Sequence, residues 1–94
     1  MNLPRCTLDN TMLEHDVRLA YKQGILEDFT LVETCEGFYL SFIVTCSSVN
    51  PWYLATRSNR TQPRLFKNFD RFLNQLADFC PSEKFILQRQ KLSI

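Results

Sequence analysis

The sequence predicts one α+β domain: an antiparallel sheet of three to four strands with helices packed on one face, in the order α-β-β-β-α-β. Three observations predict it. Residues 38–45 alternate, with Phe38, Leu40, Phe42 and Val44 on one side and Tyr39, Ser41, Ile43 and Thr45 on the other, which is the period of a strand. Residues 64–79 repeat their apolar side chains at helical spacing. The chain has 94 residues, 45% hydrophobic and 13% aromatic, enough large side chains for a single core and too short for two.

Residues 1–94 are therefore read as one domain. Met1 to Asn10 has no periodicity and carries Pro4, and reads as an arm or a short edge piece. Thr11-Met12-Leu13-Glu14 has the spacing of a capping box, which opens a helix at Thr11. Leu13, Val17, Ala20 and Tyr21 then share a helical face, and Gly24 is a natural stop. The same stretch also alternates through Leu13, His15, Val17, Leu19 and Tyr21, as a strand would; helix is the favoured of the two.

Phe29 to Cys35 is strand-like, Glu36-Gly37 a turn, and Phe38 to Thr45 the central strand, since both of its faces carry bulk. Ser47 to Pro51 turns the chain into a third strand, Trp52 to Thr56. Arg57 to Pro63 is the next turn, with Pro63 in the first turn of the following helix. In that helix Leu65, Phe66, Phe69, Phe72, Leu73, Leu76, Phe79 and Cys80 form the apolar arc, and Pro81-Ser82 ends it. Phe85 to Arg89 is a short edge strand with a basic tail through Lys91.

Net charge is +1, but unevenly spread. Residues 1–50 hold three Lys/Arg and seven Asp/Glu, whereas residues 51–94 hold eight and three. One region can thus attract anions although the protein is not basic overall. No stretch reads as a signal peptide or membrane span, which makes the cytoplasm the expected compartment. Cys6, Cys35, Cys46 and Cys80 include no C-x-x-C pair and share the chain with one histidine, so neither a metal site nor a disulfide is expected; they read as small buried hydrophobes with free thiols.

Catalysis is hard to build from this chain. His15 lies between Glu14 and Asp16 in a polar turn, the two glycines are isolated, and no serine or cysteine has a nucleophile's setting. The expectation is a non-enzymatic protein without cofactor. The better candidate site is basic: Arg57, Arg60, Arg64, Lys67 and Arg71 follow one another through the turn and the front of the second helix, against one acid, Asp70. Guanidinium forks beside helix-start amides suit phosphate oxygens, and cations there oppose the helix dipole, which points to a partner rather than to helix stability. Trp52 and Tyr53 are available to stack on bases, although aromatics in so small a domain serve mostly as core.

The helix-strands-helix order resembles double-stranded-RNA-binding domains in topology alone, because Pro63-Arg64-Leu65-Phe66-Lys67 lacks their lysine-rich signature. Trp52-Tyr53-Leu54-Ala55-Thr56-Arg57, Pro63-Arg64-Leu65-Phe66-Lys67, Gly37-Phe38-Tyr39 and Phe85 resemble the recurring pattern of small partition-associated proteins encoded on bacterial plasmids and integrative elements, over about residues 29–90. That resemblance implies bacterial mobile DNA as context and brings no established site residues. Two function classes follow. One is an accessory module binding DNA or RNA through the five basic residues. The other is a protein-interaction or homodimerisation module using the Tyr39/Ile43 face or an edge strand.

Overall fold

In the computed structural model, which describes residues 4–79 and 85–89, the central strand forms where its alternation demands. It is β3, Gly37–Val44, with Leu40 and Phe42 wholly buried and Val44 4% exposed. The full order is β1 (Thr11–Met12), α1 (Glu14–Lys22), β2 (Leu26–Thr34), β3, β4 (Trp52–Leu54), α2 (Phe69–Phe79) and β5 (Ile86–Arg89). The strands form one sheet in the order β1-β4-β3-β2-β5.

The sheet is five-stranded and mixed rather than antiparallel with three to four strands. β2–β3 and β3–β4 are antiparallel, as expected of neighbours joined by turns, but β1 lies parallel to β4 and β5 parallel to β2. The cause is the placement of the helices. β1-α1-β2 and β4-α2-β5 are both crossovers between parallel strands, and both step across the sheet in the same direction. Crossovers of one hand and one direction put their helices on one face. Val17 of α1 and Phe72 and Leu76 of α2 accordingly share a core with Phe29, Leu31, Leu40, Phe42 and Leu54. Arg18 of α1 also pairs with Asp78 of α2 at 3.2 Å.

Helix, not strand, is the outcome for residues 14–22. Its stop is a Schellman turn: Ile25 N–H donates to Ala20 O (3.3 Å) and Gly24 N–H to Tyr21 O (3.0 Å), with Gly24 at φ +73°. Its start is not the Thr11 capping box. Leu13 is the N-cap, its N–H held by Asp16 Oδ2 at 3.4 Å. Thr11 lies one strand earlier, because Asn10 O and Met12 O accept from Tyr53 and Ala55 N–H at 2.9 Å.

The second helix begins five residues later than expected, at Phe69 rather than Arg64. Residues 64–66 run instead beside the sheet: Arg64 N–H donates to Leu54 O (2.7 Å), and Phe38 and Phe66 exchange both backbone hydrogen bonds at 2.8 Å. Pro63 is buried in the approach to this segment, not in a helical turn. Asn68 caps α2, its Oδ1 accepting from Arg71 N–H at 3.0 Å. Phe66 keeps its place in the core, stacked on Phe72 at 4.4 Å. The expected helix stop at Pro81-Ser82, the place of Cys80 in the apolar arc and the tail through Lys91 lie outside the described residues.

Off the helix side, the sheet carries Thr30, Val32, Tyr39, Ser41 and Tyr53, set by register. Val32 and Tyr39 are nonetheless buried. Cys6 reaches this side beside Tyr53: it is 3% exposed, and its N–H donates to Thr61 O at 3.0 Å. Burial pushes the Cys6 thiol up to about 11, and Tyr53 is raised by burial first and by the neighbouring Cys6 second. The thiols of Cys35 and Cys46 are free but exposed rather than buried; they fall in the turns at the two ends of β3.

Candidate nucleic-acid interface

Strand directions bring the basic residues to one end of the sheet. β4 ends where β3 begins, so the loop leaving β4, the Thr34–Gly37 hairpin and the front of α2 gather there. Arg57, Arg60, Arg64, Lys67 and Arg71 all belong to these segments.

The five do not have one role. Arg60 is half-buried, and its Nε and Nη2 donate to Thr11 Oγ1 (3.1 Å) and Thr11 O (2.8 Å). In parallel pairing, the carbonyls of Asn10 and Met12 point to β4, so that of Thr11 points outward from the sheet. Arg60 therefore caps the outer side of an edge strand. Arg64 does not open a helix. Its guanidinium lies over the Phe66 ring, 4.6 Å from the centroid, and reaches Gln75 Oε1 at 3.4 Å. A cation on a ring that is itself stacked on Phe72 clamps segment 64–66 onto α2.

Arg57, Lys67 and Arg71 remain. All three are exposed, and their side chains share no hydrogen bond or ion pair with another described residue. Lys67 and Arg71 are not one helical turn apart on a common face, because Lys67 precedes the cap Asn68. The α2 amides are also less open than expected, since Asn68 occupies the Arg71 N–H. Asp70 is exposed in the same first turn. Of the aromatics, Trp52 packs on the core and donates its ring N–H to Val49 O at 2.7 Å, while Tyr53 faces Tyr39 at 6.0 Å. Neither ring stands free for a base.

One feature escaped sequence reasoning. An open cleft of about 720 Å³ separates the hairpin turn from segment 65–67, lined by Thr34, Cys35, Glu36, Gly37, Phe38, Leu65 and Lys67. It exists because Phe66 is threaded against Phe38. The signal that could have revealed it is Gly37, whose φ is +143° and where a Cβ would stand 2.8 Å from Phe66 O. Among the described residues no cluster of His, Cys, Asp and Glu is suited to a metal ion, and no helix is long and apolar enough to cross a membrane. No family model, curated protein or solved structure matches the chain.

Proposed function

We propose that this is a small, non-enzymatic, cytoplasmic accessory protein that contacts nucleic-acid phosphates electrostatically through the basic end of its sheet. The observation that carries the reading is the trio Arg57, Lys67 and Arg71, three exposed cations at one end of the fold with no anionic partner among the described residues. Arg60 and Arg64 support it from behind, by fixing the loop and the 64–66 segment that display Arg57 and Lys67. The resemblance of Trp52–Arg57 and Pro63–Lys67 to partition-associated proteins favours DNA of bacterial mobile elements as the context. Charge without a free base-reading side chain supports backbone contact alone, hence weak and sequence-tolerant binding.

The test is fluorescence anisotropy on duplex DNA across a salt series. Affinity at physiological salt should fall in the ~10⁻⁴–10⁻⁶ M range of non-specific contacts, and three phosphate contacts give a log–log salt slope of roughly −2 to −3. Arg57→Glu with Lys67→Glu and Arg71→Glu should abolish binding and leave the fold intact, since all three side chains are exposed. Undiminished binding by this triple variant overturns the site. Absence of binding by the native chain at low salt overturns the function.

A further inference from the structure

The two edges of the sheet are treated differently. β1 is two residues long, and the outward carbonyl of Thr11 is capped by Arg60 at 2.8 Å. That blunts the edge against further pairing. β5 is four residues long, and no strand lies beyond it among the described residues. Its register with β2 puts Leu87 on the helix side, beside Leu31, and Ile86 on the other side, beside Thr30. Both are more than half exposed, at 57% and 53%. A strand edge with large apolar residues bare on both faces is a template for one more strand.

We propose that β5 pairs antiparallel with β5 of a second copy, about a two-fold axis perpendicular to the sheet at Leu87. The occupant follows from self-complementarity. In a two-fold antiparallel pair, facing residues must point to the same side, which leaves two registers centred on Ile86–Arg89. An axis at Gln88 sets Leu87 against Arg89 of the other copy. An axis at Leu87 joins the two exposed leucines directly, sets Ile86 beside Gln88, and sets Arg89 against Phe85 rather than against its own equivalent. Ile86, Leu87 and Gln88 of each copy thus meet strand residues of the other, and Phe85, opposite Arg89, lies one position outside β5. The product is a continuous ten-stranded sheet with four helices on one face. Its two basic ends lie at opposite ends of the assembly, so the pairing stands independently of nucleic-acid binding. A four-residue edge buries less than the ~800 Å² per partner of a standard interface, so the dimer forms with concentration rather than permanently.

Sedimentation equilibrium tests it. The native chain should move from 11.1 kDa toward twice that mass as concentration rises. Leu87→Lys should stay monomeric with an unchanged melting profile, because the position is exposed. In a Cys35→Ser/Cys46→Ser/Cys80→Ser background, Leu87→Cys should form an intermolecular disulfide on mild oxidation. Gln88→Cys should not, being displaced by two residues from its equivalent, ~7–8 Å against the 4.4–6.8 Å that a disulfide spans. A native chain monomeric at every concentration overturns the pairing. So does a dimer that survives Leu87→Lys, and so does cross-linking at Gln88→Cys but not at Leu87→Cys.

Discussion

Arg60 donates from Nε and Nη2 to the hydroxyl and the carbonyl of a single residue, Thr11, forty-nine positions away. Truncating it leaves an edge carbonyl and a 2%-exposed threonine hydroxyl without their charged donor. Arg60→Ala should therefore cost about 2 kcal/mol in urea unfolding, in the range of hydrogen bonds to charged groups. Arg57→Ala should cost almost nothing by the same measurement. Nothing in the sequence distinguishes these two arginines, since both sit in one polar turn; only a contact with the distant Thr11 separates them. Cys6 gives a second residue-scale expectation. Its thiol is neutral in the fold up to about 11, above the ordinary 9.0, so its contribution is complete below pH 9 and is lost as pH rises from 9 toward 11. Tyr53 is shifted in the same direction. Stability should thus decline across that window, and Cys6→Ala should make the decline shallower without removing it. A pH series of urea midpoints reads this directly.

Among the elements, α2 shows what hydrophobic period can and cannot reveal. Its apolar arc was legible, and Phe72 and Leu76 are at 0% and 1% exposure at its centre. Its start was not legible, because Leu65 and Phe66 happen to continue the helical spacing while the backbones of Arg64 and Phe66 are claimed by β4 and β3. The consequence is that the phenylalanines of the arc do not matter equally. Phe72, stacked on Phe66 and wholly buried, should lose about 3–5 kcal/mol on Phe72→Ala, the range of core Phe truncations, whereas half-buried Phe69→Ala should lose clearly less. Equal losses at the two positions would place the start of the packed helix wrongly. β3 was legible throughout, since Leu40, Phe42 and Val44 are buried on one face, Tyr39 is buried on the other, and its two neighbours are local hairpin partners. β1 was invisible: two residues give no period, and its partner β4 is some forty residues away. The same distance hid the mixed character of the sheet, because parallel pairing is decided by where helices cross and not by the strand sequences.

Across the whole molecule, the N-terminal residues and the basic loop depend on one another. Cys6 N–H is bound to Thr61 O, Asn10 and Met12 carbonyls are bound to β4, and Arg60 returns from the loop to Thr11. The arm thereby closes the β4 edge, brings Cys6 beside Tyr53 and fixes the loop that carries Arg57. Removing residues 1–12 breaks all of these at once. It leaves intact the α1–α2–sheet core of Val17, Phe42, Phe72 and Leu76. The expected outcome is a folded protein about 4–6 kcal/mol less stable, from the summed loss of three backbone and two charge-assisted hydrogen bonds. Amide exchange should accelerate most at Tyr53 and Ala55, whose acceptors disappear, and least at Leu40 and Phe42 in the middle of the sheet. If exchange at Tyr53 and Ala55 stayed as slow as in the full chain, β1 would not be the partner of β4. If the truncated chain failed to fold at all, the arm would belong to the core itself rather than to its edge.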